Sequence, residues 1–260
     1  MIDPRLVEAA EAAADLAGGI IRPLFRSALL VEAKGDASPV TEADRAAERA
    51  LRAFLGERFP AHGIVGEEYG TERGDAEYLW VLDPIDGTRA FLTGRPLFGT
   101  LIGLLHRGVP VLGLIDQPVT RERWVGVAGQ GTTFRSPLGG TVSPRACESL
   151  SAAELSCTSP DIFPPDQAAR FEKVRRAARR VTWGGDCYSY GLIPLGLVDA
   201  VVETTLKPWD WAALVPVVEG AGGRMTDWRG EALTLASQGD VIAVGDPALL
   251  PEIVDALRGP

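Results

Sequence analysis

The chain has 260 residues, and at roughly 150 residues per domain that length allows one large domain or two fused halves. A composition of 46 % hydrophobic and 23 % charged residues excludes intrinsic disorder, and a chain of this size buries about three quarters of its unfolded surface. The formal charge of −9, from 26 basic against 35 acidic residues, repels polyanions, so no nucleic-acid partner is expected.

From the N-terminus, Leu6, Ala9, Ala10, Ala13, Leu16, Ala17 and Ile20 recur near the 3.6-residue period, which predicts a helix over 4–25 with Pro4 in its first turn. Thr41 is placed to cap a second helix, with Asp44 three residues on in the manner of a capping box, and Pro60 bars that helix beyond Phe59. Between Ile64 and Val127 the pattern changes to short β-rich runs at 79–82, 101–105, 111–115 and 124–127, divided by glycine, proline and charged turns. Such a succession predicts an antiparallel sheet. Residues 129–144, rich in Gly, Thr, Ser and Pro, read as a boundary between an N-terminal α+β half over 1–140 and a C-terminal α/β half over 141–260. The second half alternates: strand 155–158, helix 166–180, helix 187–198, strand 200–203, helix 210–221, strands 224–226 and 241–244, helix 247–257. That alternation favours a sheet covered by helices.

The longest run of apolar and small residues, 97–105, ends at His106 and Arg107, short of the roughly 18 residues that suggest a membrane span. Asp3, Arg5, Glu8 and Glu11 lack the order of a secretory signal, and three cysteines without CxxC spacing suit a reducing compartment, so a cytoplasmic protein is expected. None of Lys34, Lys173 and Lys207 sits in GxxxxGK[ST], so the phosphate loop of common nucleotide hydrolases is missing. With only His62 and His106 available, a metal must be held mainly by carboxylates.

Those carboxylates fall where the expected strands run out: Glu67 and Glu68 after Ile64-Val65-Gly66, and Asp83 and Asp86 after the run 78–82. In Asp83-Pro84-Ile85-Asp86-Gly87-Thr88, Pro84 fixes one φ and Gly87 permits values that other residues avoid, so a tight loop can turn both Asp side chains inward. Two close carboxylates repel unless cations lie between them, and hard divalent cations prefer oxygen ligands. Taken singly, each piece has a plainer reading. Asp83 and Asp86 suit side-chain turns, Asp44 a first-turn charge, and Asp210 after Trp209 a helix N-cap.

Together the pieces resemble the inositol-monophosphatase-like family of metal-dependent phosphatases. The matching segments are Ser38-Pro39-Val40-Thr41-Glu42-Ala43-Asp44, Gly66-Glu67-Glu68, Trp80 to Thr88, and Lys207-Pro208-Trp209-Asp210 followed by Glu219-Gly220-Ala221-Gly222-Gly223. They span nearly the whole chain in the family's order. The resemblance implies a layered αβαβα fold whose halves meet at a metal site, a homodimer, and Mg²⁺-dependent hydrolysis of a small phosphomonoester. It implies that Glu67, Asp83, the Ile85 carbonyl, Asp86 and Asp210 hold two or three Mg²⁺ ions. Thr88 would orient the attacking water while Asp44 accepts its hydroxyl proton, with Gly87, Thr88 and Arg89 at the phosphate. Within the family the chain is most similar to the histidinol-phosphatase branch, through Thr88-Arg89-Ala90-Phe91, Gly94 to Thr100, Ile115 to Val119 and Asp186 to Gly191. Trp183-Gly184-Gly185 departs from the aromatic or basic pair expected before Asp186.

Histidinol phosphate carries an ammonium and an imidazole, so selectivity calls for acids away from the metals; Asp186 and Glu203 are the candidates. Their plainer readings are a helix cap and a solvated strand end. Covalent routes are missing: no cysteine has Arg six residues on, and there is no DxDxT. An inositol, sugar or nucleotide 3′-phosphatase is the alternative within the family, and a binding protein without turnover the alternative outside it.

Overall fold

The computed structural model describes residues 2–27, 31–33 and 39–259; Ser38 of the first motif lies outside them. Helix α1 (Pro4–Leu24) starts at Asp3, whose side chain accepts the Arg5 N–H, and buries a stripe from Leu6 to Ile21. Leu16, expected on that stripe, is exposed. Strands β1 (Val31–Ala33) and β2 (Pro39–Thr41) form an antiparallel ribbon leading into α2 (Glu42–Arg58), and the Thr41/Asp44 capping box is present. Then follow β3 (Gly63–Gly66), β4 (Gly70–Glu72), β5 (Tyr78–Asp86), α3 (Thr88–Leu92), β6 (Gly99–His106), β7 (Val109–Gln117), β8 (Glu122–Val127) and β9 (Gly131–Arg135).

These strands make one seven-stranded sheet in the order β4-β3-β5-β6-β7-β8-β9. It is antiparallel except at β3/β5, which are parallel. β4 folds back on one edge of β3, so β5 takes the other edge and runs with β3. Strand β9 lies inside the stretch read as a boundary. Its Thr132, Thr133 and Phe134 suit a strand, and they outweigh the turn signal of the flanking glycines. The change of sheet falls between Arg135 and Glu154, a stretch that contains position 140.

The second half contributes β10 (Glu154–Cys157), α4 (Pro165–Ala177), β11 (Arg180–Trp183), α5 (Asp186–Leu192), β12 (Ala200–Glu203), α6 (Pro208–Trp211), α7 (Leu214–Gly220), β13 (Arg224–Thr226), β14 (Val241–Val244) and α8 (Leu250–Leu257). Its sheet runs β11-β10-β12-β14-β13. Three expected helices are shorter than read. Helix α5 stops at Leu192: Ile193 still has helical φ and ψ, but Pro194 has no N–H to carry the ladder on. The span 210–221 splits into α6 and α7, since Pro216 has no N–H to offer the carbonyl of residue 212. Helix α4 stops at Ala177, and 180–183 becomes edge strand β11.

Alternation along β5 sorts its side chains between two cores. Trp80 and Leu82 pack under α1 and α2, whereas Leu79 and Val81 face α5, α6, α7 and the inner side of the small sheet. The outer side of that sheet packs against α4 and α8. The layers are therefore helix, sheet, helix, sheet, helix. Gly103, Gly113 and Gly126 stand in register across β6, β7 and β8. A Cβ on Gly113 would lie 1.9 Å from the Ala213 carbonyl oxygen, and one on Gly126 2.2 Å from that of Pro216. This row lets the α6–α7 backbone rest directly on the sheet. Among the described residues no helix is long and apolar enough to cross a membrane.

Candidate metal centre

Asp83 and Asp86 lie within β5, not beyond its end as expected. In a regular strand, residues three apart point to opposite faces. Here Asp83 pairs with Leu101 but Asp86 with Gly99, so one extra residue bulges from β5 and returns both carboxylates to one side. The bulge is pinned: the Thr100 hydroxyl donates to the Pro84 carbonyl at 2.8 Å, and the Ile85 N–H to Asp83 Oδ1 at 3.0 Å. Gly87 then takes φ 85° and hands the chain to α3.

Asp210 reaches the same place from α6. It is not the N-cap expected but the third helical residue, and its carboxylate accepts the Lys207 N–H at 2.7 Å. Carboxylate oxygens of Asp83, Asp86 and Asp210 lie within 4.8 Å of one another. Glu67, at the end of β3, hydrogen-bonds Asp83. Burial, then the charges of Glu67, Asp86 and Asp210, hold Asp83 well above the usual carboxylate range. Burial and then Asp210 push Asp86 up to about 7. Asp210 also rises to about 7, through burial against the lowering effect of the Lys207 N–H and with the charges of Glu67 and Glu203. A cage of mutually repelling oxygens fits hard divalent cations, which remove the repulsion.

Asp44 stands beside this cage at the start of α2, its pKa raised by burial. Its Oδ2 accepts the Thr41 N–H and hydroxyl at 2.8 and 2.6 Å, while Oδ1 is buried without a partner. The Thr88 hydroxyl donates to the Ile85 carbonyl at 3.1 Å, so its bond to Asp44 is not formed here. Arg89 is exposed on α3.

Asp186 and Glu203 stand beside this cage, from the second half. A Cβ on Gly87 would lie 3.1 Å from Asp186 Oδ2, so glycine makes room for that carboxylate. Burial, with Asp86 and Glu203, pushes Asp186 to about 8. Glu203 is only 3 % exposed, so it is no solvated strand end. It accepts the Thr158 N–H at 2.6 Å and the Tyr190 hydroxyl at 3.0 Å. Asp86, Asp186, Glu203 and Asp210 line one cavity of about 170 Å³.

Two supports had escaped the sequence reading. The Cys187 N–H donates to Asp86 Oδ2 at 2.6 Å, tying α5 to the β5 bulge. Buried Glu48 accepts the Glu68 and Tyr69 N–H groups at 2.7 and 3.2 Å, which fixes the chain beyond Glu67. A signal for Glu48 existed: it lies one turn beyond Asp44, between Ala47 and Leu51 on the apolar face.

Comparison with known proteins agrees with this geometry over the whole chain. The sequence matches the profile of the "Inositol monophosphatase family" over residues 3–259. It is 43 % identical over 263 residues to the "Bifunctional phosphatase IMPL2, chloroplastic" of Arabidopsis thaliana, covering 98 % of this chain and 75 % of the relative. It is 35 % identical over 232 residues to a "Histidinol-phosphatase" of Chlorobaculum parvum, covering 88 % of each. The solved structure of an inositol monophosphatase from Zymomonas mobilis superposes with a TM-score of 0.89 at 49 % identity, covering 98 % of both chains. With its five layers and the carboxylates of β5 and α6 gathered between the halves, the chain belongs to the inositol monophosphatase family of phosphatases.

Proposed function

We propose that the chain is a Mg²⁺-dependent histidinol-phosphatase, releasing histidinol and phosphate. The observation that carries this reading is the second set of acids, Asp186 and Glu203, buried in the cavity of the metal-type carboxylates. They supply anionic acceptors for a cationic substrate where inositol offers only hydroxyls. The histidinol-phosphatase relative supports the same choice.

Glu67, Asp83, the Ile85 carbonyl, Asp86 and Asp210 would hold two or three Mg²⁺ ions. When bound, the ions supply a water of lowered pKa and positive charge for the phosphate and the departing alkoxide. Thr88 positions the attacking water through its hydroxyl. Asp44 Oδ1, the buried acceptor without a partner, takes the hydroxyl proton of Thr88 once the Ile85 carbonyl no longer holds it, as the Thr88 oxygen receives the proton of the attacking water. The N–H groups of Gly87 and Thr88 cup the phosphate, with Arg89 at the rim. Asp186 and Glu203 bind the ammonium and imidazole.

A second reading, hydrolysis of inositol 1-phosphate, is favoured by the 49 % identity to an inositol monophosphatase. Phosphate release from histidinol phosphate, inositol 1-phosphate, fructose 1,6-bisphosphate and adenosine 3′,5′-bisphosphate separates the readings. Preference for inositol 1-phosphate overturns the first, and no release from any substrate overturns both. The homodimer implied by the family belongs to the proposal and is checked by sedimentation. A cytoplasmic setting also belongs to it, supported by three buried, unpaired cysteines.

A further inference from the structure

A second cavity, of about 320 Å³, opens between α1 and the β7–β8 hairpin, on elements that carry none of the carboxylate cage. Its volume is that of small-molecule sites. Four of its lining residues are Arg22, Arg121, Arg123 and Arg135, against Asp15 and Asp116. Arg123 bridges both acids, at 2.7 Å from each, Arg22 adds its charge beside Asp116, and Arg135 pairs with Glu11 at 2.6 Å. Among the described residues, the side chains of Arg22 and Arg121 make no hydrogen bond. Four guanidiniums against Asp15, Asp116 and Glu11 leave one net positive charge there, in a chain whose net charge is −9, and the donors of Arg22 and Arg121 stay open.

The walls are built. Buried Gln117 accepts the Val119 and Thr120 N–H groups through its side chain at 2.6 and 2.9 Å, and the Arg121 N–H through its carbonyl at 2.9 Å. These bonds hold the turn that presents Arg121 at φ 62°. On the other wall, a Cβ on Gly18 would lie 3.2 Å from Pro118 Cβ, so α1 meets the hairpin at close range. A phosphate dianion presents several acceptor oxygens in one group, which matches two guanidinium forks whose donors are open in a cavity of net positive charge.

We propose that this cavity binds a small molecule bearing a phosphate dianion, at a site separate from the carboxylate centre. The test is calorimetric titration of inorganic phosphate into the full chain, once with Mg²⁺ and once with excess chelator. Without cations the carboxylate centre repels phosphate, so saturable binding in chelator reports the arginine cavity. Arg22→Gln with Arg121→Gln, both exposed and off the catalytic elements, is expected to weaken that binding at least about tenfold. Turnover and melting temperature should stay at wild-type values. No saturable binding in chelator overturns the proposal, as does equal affinity in the double variant. Tighter binding of succinate than of phosphate overturns the phosphate assignment. Failure of the phosphatase reading would appear instead as absent turnover with this binding intact.

Discussion

The molecule buries acids in two ways. Away from the cavity, three come with an arginine, Asp116 with Arg123 at 2.7 Å, Glu48 with Arg52 at 2.7 Å, and Asp199 with Arg145 and the Glu154 N–H, while Glu122 accepts the Tyr188 hydroxyl at 2.7 Å. At the centre, Asp44, Asp83, Asp86, Asp186, Glu203 and Asp210 crowd together, and among the described residues Lys207 acts on Asp210 and Arg89 on Asp186. A buried charge destabilises a fold unless it is paired. The chain pairs its structural acids with an arginine or a hydroxyl and sets the central ones against one another, so mutual repulsion marks the functional carboxylates better than burial does.

The comparison breaks most sharply at the cage itself. Asp83→Asn, Asp86→Asn and Asp210→Asn should each lower turnover by orders of magnitude, because each removes a ligand charge from a metal acting in the transition state. Excess chelator should abolish activity, and full activity in chelator would sink the metal reading. Asp210 is the most telling because it arrives from α6, in the other half of the chain. Normal kinetics and metal affinity in Asp210→Asn would separate that half from the chemistry. Thr88→Val keeps the volume but loses the hydroxyl, and turnover should fall roughly 10²- to 10⁴-fold with metal affinity little changed. Wild-type turnover in Thr88→Val would leave that hydroxyl as a bond to the Ile85 carbonyl and nothing more.

Stability experiments sharpen the contrast from the paired side. Arg123→Gln strands Asp116, whose side chain is 8 % exposed, and should cost about 3–5 kcal/mol in urea unfolding. Adding Asp116→Asn should recover part of that loss. Metal-free Asp86→Asn should instead be more stable than wild type, since it removes a repelling charge. The pH dependence follows the same logic. Asp86 and Asp210 at about 7 and Asp186 at about 8 hold protons in the native state that the unfolded chain has released. Metal-free stability therefore falls as pH rises from about 4, the unfolded carboxylate value, to about 8. Mg²⁺ competes with those protons, so it should raise the melting temperature by about 5 °C or more at pH 8 and little at pH 5. Equal shifts at both values would place Mg²⁺ elsewhere.

Much of this was legible in the sequence because the signals were local. Thr41 and Asp44 announced a cap, the apolar β-rich run 79–82 announced a strand, and the acids around Gly87 announced a loop able to hold cations. What escaped depends on partners far along the chain. The bulge between Asp83 and Asp86 exists only against the register of β6, and the N–H of Cys187 serves Asp86 across 101 positions. Strand β9 was hidden because glycine and threonine read as turn until β8 supplies an edge. Helix 210–221 was read as continuous because its apolar period is intact, whereas Pro216 withdraws the donor that would join α6 to α7.

The smallest effect bears on substrate choice, within the unpaired group itself. Asp186 and Glu203 differ from the cage in position: Asp186 lies against Gly87 at the mouth of α5, and Glu203 ends β12, held by Thr158 and Tyr190. Neither oxygen set belongs to the Asp83–Asp86–Asp210 cluster, so changing them should leave metal binding nearly intact. Asp186→Asn and Glu203→Gln remove an anionic acceptor without changing shape, and a desolvated charge contact is lost where an exposed one would hardly count. The Michaelis constant for histidinol phosphate should rise about tenfold, equal to about 1.4 kcal/mol, with a much smaller change for a generic phosphomonoester. Equal changes for both substrates would return Asp186 and Glu203 to the support of the cage. The chain would then be a phosphatase whose unpaired acids all serve cations and none the substrate.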